Sequence, residues 1–129
     1  MRVALMILLG LVIGIIGTVN VMNVLSERNP MPRALMHTMD YHMGQLKSAV
    51  KAKQCDGGRI QHHLARLVST ASDITPVFGS GVQDFTDHAQ QLQERLQQAV
   101  QATPATCAAL AAAIKPVNQS CDSCHQKYR

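Results

Sequence analysis

At 129 residues the chain is long enough for one small domain plus a tail or anchor, and too short for several domains. Hydrophobic residues make up 47% of it, yet aromatics only 3% and tryptophan is absent, so a core of Leu, Ala, Met and Val is expected, which suits an all-α protein. A formal charge of +4, with no basic stripe interleaved with aromatics, leaves no case for nucleic acid as a partner.

From its start the chain is nearly all apolar between Val3 and Leu25, with Thr18, Asn20 and Asn23 the clearly polar members. That length reaches the threshold for crossing a bilayer. A cleaved signal peptide would show a small-residue cleavage site after a shorter apolar core. Here the run continues through Val19, Val21, Met22, Val24 and Leu25, so an uncleaved transmembrane signal-anchor over residues 1–25 is the expectation. Gly10 and Gly14 have the spacing that lets two membrane helices pair, which would give a homodimer; simple tolerance of glycine in a membrane helix is the preferred reading. Residues 26–31 are a short polar linker.

Residues 32–129 hold the helical patterns. The first helix is expected from about Pro32 to about Lys53, with Met36, Met39, Met43, Leu46 and Val50 stepping by three and four along one inward seam. Cys55-Asp56-Gly57-Gly58 is read as its breaker. The second runs from about Arg59 to Ser72, with Ile60, Leu64, Leu67 and Ala71 inward. Thr75 to Gly81 reads as a turn-rich loop. The third runs from about Val82 to Ala102 on Phe85, Ala89, Leu92, Leu96 and Ala99, its glutamines mostly facing water. The fourth opens with Thr103 as N-cap and Pro104 at the first helical position. Its stripe is Leu110, Ile114, Val117, Cys121, Cys124 and Tyr128, with a kink expected at Pro116. Four helices with short connections predict an antiparallel up-down four-helix bundle after an N-terminal transmembrane helix.

The chemistry is concentrated at Cys121-Asp122-Ser123-Cys124-His125. Cys-x-x-Cys-His is the attachment signature of a c-type haem. Thiols three positions apart share a helix face and can add to the two vinyl groups on one porphyrin edge. The following imidazole is then the proximal iron ligand. Zinc would need a fourth ligand from elsewhere, and a thioredoxin-type pair would need a βαβ setting. Both alternatives fit less well than one covalent haem c. The up-down order brings the start of the first helix to the end of the fourth, so Met36 approaches that haem. There it is either the second iron ligand or a core filler. His37 is the fallback ligand, while His42, His62, His63 and His88 are read as exposed or hydrogen-bonded. The linker joins at this same end, which predicts a haem close to the bilayer. No Ser/His/Asp set, phosphate loop or carboxylate pair is evident, so no enzyme is expected.

Met36 and the C-terminal motif, together with Leu35, Pro116, Tyr128 and Arg129, resemble class II cytochromes c, the family of cytochrome c prime and its low-spin relatives. The resemblance spans about Pro32 to Arg129. It implies iron ligation by His125 and Met36, as in the low-spin branch; the high-spin branch carries an apolar residue at the Met36 position and leaves an iron face open to nitric oxide or carbon monoxide. The family often has an arginine four residues before that position. Here Pro32 stands there and Arg33 one later. Arg33 and Arg129 are the resulting candidates for the haem propionates, with Lys127 a weaker one. The resemblance also implies the bacterial periplasm, an inner-membrane anchor, and redox partner proteins of a respiratory chain. That compartment is oxidising, and the bundle topology puts Cys55 and Cys107 at one end, so a Cys55–Cys107 disulfide is expected, with two unpaired, buried thiols as the alternative.

Overall fold

The computed structural model describes residues 2–26 and 30–128, and among them all regular structure is helical. The order is α1 (Arg2–Ser26), α2 (Met31–Ala52), α3 (Gly57–Ala71), α4 (Ile74–Phe78), α5 (Gln83–Gln101) and α6 (Cys107–Tyr128). Contacts divide the chain into two units, Met1–Met31 and Pro32–Arg129.

In the first unit, α1 has 25 residues. At a rise of 1.5 Å per residue it is about 37 Å long, more than a hydrocarbon core of about 30 Å. Its segment Met6–Val24 is long and apolar enough to cross a membrane. Two of its polar side chains are satisfied within the helix. Thr18 Oγ1 donates to the Gly14 carbonyl at 2.8 Å, and Asn20 Nδ2 donates to that of Ile16 at 2.8 Å. Such internal pairing suits a segment with no water around it. The linker residues 27–29 lie outside the described residues.

The second unit is the helical bundle. Its core takes most of the stripes expected from the 3.6-residue period: Met39, Met43 and Leu46 from α2; Ile60, Leu64, Leu67 and Ala71 from α3; Ala89, Leu92, Leu96 and Ala99 from α5; Leu110, Ile114 and Val117 from α6, whereas Met36, Val50, Phe85, Cys121 and Cys124 of those stripes are only partly buried and Tyr128 is exposed. Leu35 and Ile74 join it. Each fully buried leucine contributes about 1.5–3 kcal/mol relative to exposure. Helix α5 packs against α6, α3 and α4. Gln93 departs from the water-facing expectation: its Nε2 donates to the Ala71 carbonyl at 3.0 Å, tying α5 to the end of α3.

The end of α2 falls where expected but is set by a different residue, while the starts of α3 and α6 and the Thr75–Gly81 segment differ from those expected, each for a local reason. Helix α2 is ended by Lys53, not by the glycines. Lys53 has φ 56°, its N–H reaches the Val50 carbonyl, and the Gln54 N–H reaches that of Ala49. This is a Schellman stop with a lysine in the left-handed position. Asp56-Gly57-Gly58 instead begins α3, since Asp56 Oδ1 accepts from the Arg59 N–H at 2.8 Å as an N-cap. Helix α6 starts at Cys107, not Pro104. Thr103 has φ 38°, and Thr106 Oγ1 accepts from the Ala109 N–H at 3.1 Å, so Thr106 is the cap. The expected Thr75–Gly81 loop contains α4, which anchors through buried Ile74 and stops at Gly79, whose φ of 90° favours glycine. Pro116 sits inside α6 without ending it.

Candidate functional site

Cys121, Cys124 and His125 lie in the last two turns of α6. The apolar stripe that buries Leu110, Ile114 and Val117 carries on to this point and then meets solvent. Cys121 and Cys124 are half-buried, and Cys121 packs against the core. His125 is exposed and has no hydrogen-bond partner among the described residues. Both cysteines are free thiols, whereas Cys55 and Cys107 are joined by a disulfide with Cα atoms 5.3 Å apart. The four cysteines are thus split between a closed pair and an open one on a single helix face.

Burial pushes the thiol pKa of both Cys121 and Cys124 up. The carboxylates of Asp122 and Asp84 add to it at Cys121 and Cys124 respectively, while the Lys47 ammonium pulls Cys121 the other way. Raised thiols are poor nucleophiles, so this pair is not poised as a redox or protease centre. Two thiols three residues apart at the edge of an apolar core, followed by an imidazole with no competing partner, fit covalent attachment of haem c and its proximal ligation. Among the described residues no group of three His, Cys, Asp or Glu is arranged to hold a metal ion, so the zinc alternative has no fourth ligand here.

Met36 stands on the second turn of α2, half-buried and packed against the same core as Cys121. Its neighbours Arg33 and His37 are exposed. Arg129 lies outside the described residues. Lys127 is engaged elsewhere: its Nζ is 2.7 Å from Asp84 Oδ2. Tyr128 donates its hydroxyl to the same carboxylate oxygen. Asp84 is held below its ordinary pKa by the hydrogen bond from Lys127 first and that from Tyr128 second. Tyr128 in turn is pushed up to about 12 by its bond to Asp84. The ring of Tyr128 meets Phe85 edge-on at 5.3 Å and His88 at 5.9 Å. Asp84 and Phe85, on the first turn of α5, therefore fasten the motif-bearing end of α6. No local pattern in the sequence signals this. Lys47, by contrast, was within reach, because it lies four residues after Met43 on the edge of the inward seam. The groove of about 440 Å³ lined by Thr75, Thr86, Gln90, Gln93, Glu94 and Gln97 shares no residue with the motif and is not part of this site.

Comparison with known proteins gives two findings. The family model described as Cytochrome C' matches residues 82–129. In fold, the chain is similar to a point mutant of cytochrome c prime from Alcaligenes xylosoxidans solved as its nitric oxide complex, with a TM-score of 0.67 and 23% identity. The likeness covers 76% of this chain and 90% of that one. No curated protein matches the sequence. The matched segment holds the whole Cys-x-x-Cys-His motif, and together with the shared four-helix architecture it supports the cytochrome c' family, class II of the c-type cytochromes, whose members carry a covalent c-type haem.

Proposed function

We propose that the chain is a membrane-anchored cytochrome that relays single electrons between redox partner proteins of a bacterial respiratory chain. In this reading Cys121 and Cys124 would fix the haem, and His125 and Met36 would be the protein ligands of its iron. Haem c supplies reversible one-electron chemistry, and a Met/His ligand pair raises its reduction potential. The remaining work falls to the chain. The α2 seam brings a thioether to the core that Cys121 also borders, and the Asp84 contacts hold the end of α6 against α5. Arg33 and Arg129 are the cations assigned to the propionates. Helix α1 keeps the domain at the inner membrane, with the bundle on the periplasmic side. No catalytic turnover of a substrate is assigned.

The observation that supports this reading is Met36, half-buried and packed against the bundle core that Cys121 also borders. A second reading is favoured by one finding: the structural neighbour is a nitric oxide complex. A five-coordinate haem taking nitric oxide or carbon monoxide would leave Met36 as a core filler. The absorption spectrum of the purified protein separates the two. Electron relay requires low-spin ferric haem that resists carbon monoxide, and Met36→Ala should open one face and let carbon monoxide bind readily. High-spin iron in the wild type, with unchanged carbon monoxide binding in Met36→Ala, would establish the gas-binding reading instead.

A further inference from the structure

A second cluster of ligand-type side chains lies outside the haem motif, where α2 meets α3. His42 is 7% exposed, and its Nδ1 is 2.9 Å from Nδ1 of half-buried His63. The two ring centroids are 5.2 Å apart. His62 stands beside them, exposed, with its centroid 5.3 Å from His63 and 6.2 Å from His42. Tyr41 closes the other side, 5.1 Å from His42. We propose that His42 and His63 form a site for a tetragonal first-row divalent cation, Cu²⁺ first and Ni²⁺ second, bound through the two Nδ1 atoms.

The 2.9 Å spacing is set in the metal-free protein by the hydrogen bond between the rings, and it lies nearest the spacing of a tetragonal site. Two nitrogens each about 2.05 Å from one ion and at right angles to each other stand about 2.9 Å apart. A tetrahedral Zn²⁺ site would spread them to about 3.3 Å. Hard cations such as Ca²⁺ and Mg²⁺ demand oxygen ligands, which this pair does not supply. Burial lowers the pKa of both rings, and the nearby His and Arg groups add to the effect: His63, Arg66 and His62 around His42, His62 and Arg59 around His63. Those arginines repel every divalent ion alike, so the order among the ions is that of imidazole affinity, in which Cu²⁺ binds tightest.

In the metal-free protein one ring donates its Nδ1–H to the other. On binding, that proton leaves Nδ1 for solvent and Nε2 of the same ring takes one up. Both imidazoles stay neutral, and no net proton or electron is exchanged. The two protein nitrogens leave the other coordination positions to water, since no third His, Cys, Asp or Glu among the described residues is already in place.

The test uses the full-length holoprotein in detergent, whose haem thioethers remove Cys121 and Cys124 as rival copper ligands. Titration with Cu²⁺ should show one ion per chain, with electron paramagnetic resonance resolving nitrogen splitting from imidazole. His63→Gln and His42→Gln should each weaken binding at least tenfold. Excess Ca²⁺ or Mg²⁺ should not compete. His63 is only half-buried, so His63→Gln is the decisive variant if His42→Gln perturbs the fold, which circular dichroism would reveal. No uptake by the wild type at one molar equivalent, or undiminished affinity in His63→Gln, would overturn the site.

Discussion

Asp84 is the residue on which the end of α6 turns. Its carboxylate takes the Lys127 ammonium and the Tyr128 hydroxyl, and the ring N–H of His88 reaches the Asp84 backbone carbonyl at 2.8 Å. Both pKa shifts come from these bonds, and their signs set a window. Asp84 titrates lower folded than unfolded, so its contribution is complete above the ordinary 3.8 and is lost as pH falls through the depressed value. Tyr128 titrates higher folded than unfolded, so its contribution is complete below 10.0 and is lost as pH rises towards about 12. The tie between α5 and α6 is therefore intact between these limits. Carboxyl-carbon NMR should place the Asp84 midpoint below 3.8, and Lys127→Ala should move it upward. In Asp84→Asn, the ultraviolet titration of Tyr128 should fall back from about 12 towards 10.0. A Tyr128 midpoint that stays near 12 in Asp84→Asn would show that the hydroxyl is not bound to that carboxylate. None of this was legible beforehand. Cys121, Cys124 and His125 declare themselves by spacing within one turn, whereas Asp84 and Tyr128 are 44 residues apart and meet only when α5 and α6 pack.

At the scale of the element, the four long helices were legible because apolar side chains at intervals of three and four mark a helix face directly. Their ends were less so. Thr103-Pro104 has the composition of a helix start, yet tertiary packing puts Thr103 at φ 38° and begins α6 at Cys107, the residue bridged to Cys55. The disulfide and the Thr106 cap fix the start together. Two substitutions separate the rival caps. Thr106→Ala should cost about 1 kcal/mol, the usual loss for a removed N-cap oxygen. Thr103→Gly should cost nothing or stabilise slightly, because glycine accepts a left-handed backbone that a β-branched residue resists. Denaturant midpoints of the two variants supply the comparison. A larger loss at Thr103 than at Thr106 would return the helix start to Pro104. His42 and His63 show the other limit of periodicity. The spacing of His42 on α2 and His63 on α3 is unremarkable in each helix, and their pairing depends on the relative rotation of two helices about their axes, which no single-helix pattern carries.

For the whole molecule, the membrane-type helix and the bundle were both legible, one from a run of apolar residues and the other from four amphipathic stripes. The bundle is small, and its haem-bearing end is a helix terminus, where helices fray most readily. The Cys55–Cys107 bridge closes the opposite end, joining the loop after α2 to the first residue of α6 across a separation of 52 residues. A cross-link of that span removes loop freedom from the unfolded chain worth about 4 kcal/mol in the chain-entropy treatment. For a domain whose total stability is on the order of 5–15 kcal/mol, that is a large share. The sequence pointed to this pairing only through topology, because the spacing of Cys55 and Cys107 carries no motif. The consequence is testable on the full-length holoprotein in detergent. Alkylation of the denatured, unreduced protein should leave both cysteines unlabelled, and labelling of both would rule the bridge out. Replacing both residues, Cys55→Ser with Cys107→Ser, should lower unfolding free energy by about 4 kcal/mol, less any stabilisation the new serines recover. The haem absorption spectrum should stay as in the wild type, since Cys121, Cys124 and His125 lie at the other end of α6. Loss of stability with an altered haem spectrum would mean instead that the bridge sets the position of α6 along its whole length, and that the two ends of the helix are mechanically coupled.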